Sequence, residues 1–335
     1  METGERPSGR DIYAKYRRGL FIALGAGALI YLGLSLYAEV PRVLEHLRGF
    51  RWWLVFPILL LSLANYLIRF VRWEYYLRKL EVRVALGTSL AIFLSGLAMT
   101  ITPGKVGELL KSLLLKDAAG TPIARSAPVV LAERLTDFLA LVLLAGVGIG
   151  TYYRERRGAL YLVGGILLAI IVVLNSRKLS LALLRLGARL PLVGRVAPRL
   201  EEAYRATADL LGPGAFFIGL TLAVAGWFAE CLGYYVVFQG HGVDASLKLA
   251  TFLYAFSVIA GVVSPGGLGV TDLLLGVGAE ELVEGMTPSL GVSTAFVIRV
   301  ATLWFAVLVG SVALIRFQGT LQQDSSGSLR TAAPE

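Results

Sequence analysis

The sequence predicts an all-α polytopic membrane protein, with about six full spans and two re-entrant broken-helix hairpins arranged as an inverted repeat. Three observations carry that expectation. Of the 335 residues, 56% are hydrophobic and only 16% charged, against about 25% charged in a soluble domain. Uncharged runs recur at Gly19–Ala38, Gly158–Ser176, Leu210–Ala229 and Leu249–Thr271, and about 20 apolar residues in a helix cross the roughly 30 Å hydrocarbon core of a bilayer. Finally, two membrane-length segments break at the same kind of place, "MTITPGKVGELL" (99–110) and "VVSPGGLGVTDLLL" (262–275).

Taken in order, residues 1–18 form a polar, basic leader. The apolar run behind it is too long for the core of a signal peptide and lacks a clear small-residue cleavage site, so it reads as an uncleaved first span. Full spans are predicted at 19–38, 52–71, 127–150, 158–175, 211–238 and 290–315. Segments 86–116 and 247–284 each read as two short helices that enter and leave on one side. The basic clusters at 69–83, 105–125 and 176–205 then fall inside and 239–289 outside, following the excess of Lys and Arg in cytoplasmic loops. Segments 42–51 and 152–157, with three arginines each, run against that assignment. Both termini are placed in the cytoplasm and the chain in the cell (inner or plasma) membrane. Residues 176–205 interleave arginine with leucine and are broken by Pro191 and Pro198, which suits short interfacial helices on anionic lipid. Residues 317–335 are polar and expected to be disordered.

The two interrupted segments align at one offset of 162 residues. Leu94-Ser95 matches Phe256-Ser257, Ala98 matches Ala260, Thr102-Pro103-Gly104 matches Ser264-Pro265-Gly266, and Gly107 matches Gly269. With a small slip, Arg134 falls opposite Arg299. The domain reading follows: a first span and first repeat over 19–150, a span with its basic connector over 151–210, and a second repeat over 211–316. With the topology above the two units enter from opposite sides, a plan that puts a transporter's site near the midplane where broken helices meet.

Non-helical backbone inside hydrocarbon is tolerated only where protein or a cavity covers it. The backbone breaks at Pro103, Gly104 and Gly107, and at Pro265, Gly266, Gly267 and Gly269, are therefore expected inside the bundle. A helix starting after Gly104 would offer free N–H groups to an anion, with Lys105 at its start, Glu108 in its first turn and Lys111 beyond. Two readings stay open here: a site for a phosphate-bearing head group, or lysines that merely anchor the cytoplasmic surface. Glu133, Arg134 and Asp137 share one helix face. Arg134 can neutralise one of those carboxylates but not both, so a lysine of the first broken segment is the expected second partner. Arg299 and Glu230 each interrupt an otherwise uncharged stretch. Charges at such depth are costly and mark pathways, or else salt bridges that fix packing. Asp272 could equally face water. The second break lacks the lysine and glutamate of the first, so head-group binding is expected at the first and packing or gating at the second.

Other classes are disfavoured. Cys231 is the single cysteine and lies in an apolar segment, which leaves no disulfide framework and no Cys-based metal site. His46 and His241 are far apart in the sequence and read as loop residues, so no metal is expected. No nucleotide-binding glycine motif occurs, and no cofactor is called for. The net charge of +9 reads as cytoplasmic Lys and Arg rather than as a nucleic-acid surface. A second copy of the chain is left open as a partner.

"TPGKVGELLKSLLL", "ERLTDFLAL", "SPGGLGVTDLLL" and "IRVATLW" together resemble the lysylphosphatidylglycerol synthase transmembrane family, also described as flippase-like domain proteins, over about residues 15–317. By resemblance, Pro103, Gly104, Lys105, Gly107, Glu108, Glu133, Arg134 and Asp137 stand in the family's first motif region, and Pro265, Gly266, Gly267 and Gly269 in its second. The resemblance implies movement of aminoacylated phosphatidylglycerol between leaflets, with relatives tied to hopanoid-related lipids and lipid-linked sugars. The soluble synthase domain of the best-known members is not expected in this chain. The expectation is a lipid translocase without enzymatic activity, whose partners are membrane lipids bearing a phosphate head group. Its lipid is an anionic or aminoacylated phospholipid or a polyprenyl-phosphate-linked one. Lys105, Glu108, Lys111, Arg134, Asp137, Glu230 and Arg299 are its expected substrate-binding residues. An accessory subunit or membrane enzyme of lipid modification, or a small-solute or ion transporter, remains the alternative.

Overall fold

The computed structural model describes residues 39–102, 107–152 and 206–330, with a few isolated positions besides. The leader, the 19–38 and 158–175 spans, the connector 176–205 and the residues Pro103, Gly104 and Lys105 lie outside these elements. Every regular element among the described residues is helical. Three helices are long and apolar enough to cross a membrane: Trp52–Lys79, Pro213–Gly240 and Pro288–Phe317, with shorter apolar helices at Leu86–Ile101 and Leu247–Ala260.

The first half runs from α1 (Val40–Gly49) through a 3-10 turn at Trp52–Leu54 into α2 (Val55–Lys79). A broken pair follows, with α3 (Leu86–Leu97) and its 3-10 extension Ala98–Ile101 on one side and α4 (Leu110–Ala119) on the other. Then comes the thirty-residue α5 (Ile123–Tyr152). The second half repeats that order. α6 (Pro213–Gly240) precedes a broken pair, α7 (Leu247–Ala260) and α8 (Val270–Leu282), with 3-10 turns at Gly261–Val263 and Pro265–Gly267 between them. α9 (Pro288–Arg299), a π-helical turn at Val300–Trp304 and α10 (Phe305–Arg330) then form the last long helix.

Local chemistry explains where these helices start and stop. Ser246 and Thr287 cap α7 and α9 by accepting the N–H groups of Leu249 and Leu290, each satisfying a donor the helix leaves open. Pro213 and Pro288 open α6 and α9, where a missing N–H costs nothing. Gly120 ends α4 in the left-handed conformation with φ 66°. α10 continues to Arg330, into the segment expected to be disordered. The chain has no proline between Pro288 and Pro334 to stop the helical hydrogen-bond ladder.

Helix α2 also runs further than predicted, to Lys79 rather than to residue 71. The basic stretch from residue 69 is therefore not all loop. Arg78, Lys79 and Arg83 are exposed, but Arg69 and Arg72 are buried inside the helix bundle. Their charges meet carboxylates on neighbouring helices, so the chain need not leave the interior to solvate them.

α2 and α6 form an extensive antiparallel contact. Glycines 219, 226, 233 and 240 recur every seven residues along α6 and receive Tyr76, Asn65, Ile58 and Phe50 in turn. Asn65 Nδ2 donates to the Gly226 carbonyl at 2.8 Å. Small residues at such spacing let two backbones approach closely, the usual basis of helix association in membranes. The halves also exchange partners. α7 packs on α5, and α3 with its 3-10 extension packs on α10. Each contact is again made over a glycine, Gly148 beneath Phe252 and Gly310 against the backbone of Ala98.

At the end of α6, the His241 ring lies tilted against Phe50 with 4.8 Å between centroids, and α1 packs on α9. His46 lies within α1 and His241 caps α6, so neither is a plain loop residue. Burial, with a smaller contribution from His46, pushes His241 down to about 4. The unfolded chain therefore takes up this proton first.

Two outcomes follow. A Cβ at Gly310 would lie 2.1 Å from the Ala98 nitrogen, so Gly310→Leu should cost about 1–3 kcal/mol or more, read as a lowered unfolding midpoint in detergent. Lowering pH from 6.5 towards 4 should destabilise the protein, and His241→Gln should flatten that part of the pH profile of thermal stability.

Candidate functional site

The two breaks meet inside the bundle. Ile101 of the first packs with Leu268 of the second and with Leu303 and Val307 of the last long helix. A Cβ on Gly266 would stand 3.1 Å from the Ile101 Cα, and Gly266, Gly267 and Gly269 all take positive φ, at 61°, 75° and 81°. Such turns suit glycine alone at low cost. Gly107, across the first break, donates its N–H to Thr102 Oγ1 at 2.9 Å. A side chain there would strike Thr102 and Met99.

Around this junction lies a cavity of about 80 Å³, room for several waters or one compact polar group. Thr100 and Thr102 from the first break and Ser264, Gly266 and Gly267 from the second line it. Both breaks thus contribute, where the sequence had suggested a division of labour. Tyr66, Trp227 and Tyr254 add aromatic rings. Among the described lining residues, Arg69, Arg134 and Arg299 face Asp137 and Glu230, three cations against two carboxylates.

Behind the lining is a buried ion network. Asp137 lies 2.8 Å from both Arg72 and Arg134. Glu108 receives Arg134 at 3.1 Å, Arg69 at 3.6 Å and Lys111 at 3.8 Å. Lys111 also donates to Glu133 and sits 4.5 Å above the Trp73 ring, where a desolvated cation gains about 2 kcal/mol. Four cations thus meet three carboxylates across α2, the α4 start and α5. The anticipated lysine partner for the second α5 carboxylate is Lys111. It is 1% exposed and so is no surface anchor.

The second half has its own pair. Arg299 Nε donates to Asp272 Oδ1 at 2.9 Å and Nη2 to the Gly266 carbonyl at 2.6 Å. Asp272 in turn accepts the Gly269 N–H at 2.8 Å. It is buried and fixes the second break instead of facing water. Directly after Arg299 the helix widens into its π-helical turn, a feature frequent at functional sites. Ser62 and Tyr66 of α2 donate to the carbonyls of Ala301 and Thr302. Glu230 accepts from the Tyr254 hydroxyl at 2.6 Å.

Of the expected site residues, Arg134, Asp137, Glu230 and Arg299 line the cavity, as do Gly266 and Gly267. Glu108 and Lys111 stand behind its wall, within the ion network. Lys105 with Pro103 and Gly104 falls outside the described residues. Arg69 and Arg72 were missed by sequence reasoning because they were counted with a cytoplasmic basic cluster. Their signal was present: Asn65, Arg69, Arg72 and Tyr76 share one helical face, and all four are buried. Among the described residues, no group of three or more His, Cys, Asp and Glu side chains could hold a metal ion.

This geometry can be set beside known proteins. The family described as the lysylphosphatidylglycerol synthase TM region matches residues 20–310. The chain belongs to that family. It is 23% identical to a UPF0104 membrane protein of Methanothermobacter thermautotrophicus, over 88% of this chain and 92% of the relative. A UPF0104 membrane protein of Pyrococcus horikoshii is 20% identical over 91% of this chain and 99% of its own length. In this member of the lysylphosphatidylglycerol synthase transmembrane family, both broken segments and the ion network lie within the matched region.

Arg299→Ala would leave Asp272 buried without its guanidinium partner, at a cost of about 3–5 kcal/mol. The double variant Arg299→Ala/Asp272→Asn, which keeps an acceptor for Gly269, should recover part of it. Denaturant unfolding in detergent measures both, and strictly additive losses would mean that the pair is not a compensating one.

Proposed function

We propose that this chain is a lipid translocase that moves a phosphate-bearing lipid between leaflets of the cell membrane. The observation that carries the reading is the arginine-lined cavity where the two broken helices meet. Arg69, Arg134 and Arg299 line it beside Asp137 and Glu230, and a phosphate would draw their donors from the carboxylates that pair with them, Glu108, Asp137 and Asp272. Arginine is suited to this contact, because its planar fork of donors matches phosphate oxygens. The apolar tails would stay in the bilayer while the head group passes through the polar junction.

The inverted-repeat plan belongs to this reading. α2 and α6 hold the same place in the two halves and pack antiparallel. Each half's first broken helix lies on the other half's last long helix. Antiparallel equivalents related by exchange are what a pseudo-two-fold axis in the membrane plane would produce. Both support re-entrant segments and a site shared by the two units. In this reading the termini are cytoplasmic and the chain carries out transport rather than covalent chemistry. The lipid classes expected are anionic or aminoacylated phospholipids and polyprenyl-phosphate-linked lipids, with Arg69, Arg134 and Arg299 receiving the phosphate. Membership of a family described by a phospholipid synthase's transmembrane region supports a lipid.

The test is transbilayer movement in liposomes containing the purified protein, read with fluorescent phosphatidylglycerol and a quencher added outside. The protein should accelerate movement, and Arg134→Gln should slow it by about tenfold or more, the loss of one charge-assisted hydrogen bond. Absence of both lipid movement and lipid binding by the folded wild type would defeat the reading. Uptake of a small anion without lipid movement would replace it with a solute transporter.

A further inference from the structure

We infer that Glu108 is an internal competitor for the ligand's anionic group, and that its release couples an occupied cavity to the second half of the first broken helix. The inference rests on the reading that the cavity receives a phosphate. Glu108 does not line the cavity, yet it contacts two of the arginines that do. Its carboxylate approaches Arg69 and Arg134 from behind the cavity wall. A carboxylate and a phosphate ask the same donors for the same bonds, so Glu108 occupies the position of the ligand's charge from the protein side.

The distances identify which carboxylate yields. Asp137 is held at 2.8 Å by two guanidinium groups, whereas the Glu108 ion pairs span 3.1, 3.6 and 3.8 Å. Coulomb attraction falls over that range. The arginines therefore give up Glu108 before Asp137. Lys111, at 3.8 Å, remains beside Glu108 when the arginines turn to the ligand. The released carboxylate is not left without a cation.

Covalent continuity turns this exchange into movement. Glu108 follows Gly107, whose N–H is held by Thr102, and Thr102 lines the cavity. It also stands just before α4, in the short turn at 107–109. Loss of the arginine contacts loosens the tie between the α4 start and α2 and α5. Because coupling is reciprocal, whatever frees Glu108 must raise the affinity for the ligand by the same factor.

The experiment uses the full chain in detergent and a short-chain, water-soluble phosphatidylglycerol as probe. Binding is followed by titration calorimetry, and hydrogen exchange is measured over residues 107–119. Glu108→Gln should bind the probe about tenfold more tightly than wild type. Wild type should exchange faster over 107–119 when saturated with probe, and Glu108→Gln should do so without it. The exchange measurement on wild type needs no variant, so the inference stays testable if Glu108→Gln folds poorly. Equal or weaker binding by a folded Glu108→Gln overturns the inference, as does unchanged exchange in probe-saturated wild type. If Arg134→Gln loses the probe while Glu108→Gln binds it like wild type, the lipid reading stands and only the competitor role falls. If wild type and Arg134→Gln bind alike, or neither binds, the competitor role falls, and the lipid reading falls with it only where the wild type also neither binds nor moves lipid in liposomes.

Discussion

A guanidinium group buried away from water must be paired, and in this protein that requirement organises the interior. Arg69 and Arg72 enter from α2, Lys111 from α4 and Arg134 from α5, and three carboxylates neutralise all but one of those charges. Removing one partner from such a group costs several kcal/mol, while the intact group gains little over an apolar core. The network is therefore weak as a source of stability and strong as a specification. It ties α2, the first broken segment and α5 together in an arrangement that places Arg69 and Arg134 on the cavity.

A second constraint acts on the backbone. Where a helix stops inside an apolar interior, its free N–H and C=O groups need partners. Here the partners are side chains and carbonyls of the site itself. Asp272 takes the Gly269 N–H, Arg299 takes the Gly266 carbonyl, Thr102 takes the Gly107 N–H, and Ser62 and Tyr66 take carbonyls of the π-helical turn. Three of the groups that solve the local hydrogen-bond problem, Thr102, Tyr66 and Arg299, also line the cavity. A polar space at this depth follows from having two breaks side by side.

Glycine makes that convergence possible in two different ways. At 266, 267 and 269 it supplies positive φ for the second break. Along α6, and at Gly148 and Gly310, it supplies absence of bulk, so that Tyr76, Phe252 and the Ala98 backbone can come close. The seven-residue spacing of the four glycines on α6 is visible in the sequence, but which helix they receive is not. The antiparallel partner α2 is more than a hundred residues away in the chain.

The helical class, three of the long spans, both breaks and the α5 charge triplet could be read from composition and spacing, because those signals are local and carried by hydropathy and glycine-proline punctuation. The need for a second cation beside the α5 carboxylates, expected from a lysine of the first broken segment, was also legible, since one arginine cannot neutralise two carboxylates. Arg69 and Arg72 could not be told from Arg78 and Lys79 by composition, as a basic stretch looks alike whether it lies in water or against carboxylates from another helix. Asp272 was ambiguous for the same reason. The sequence determined the helical class and where two of the helices had to break. Only the tertiary structure decided which charges meet and which face the cavity, because pairing depends on contacts between helices that adjacency along the chain does not encode.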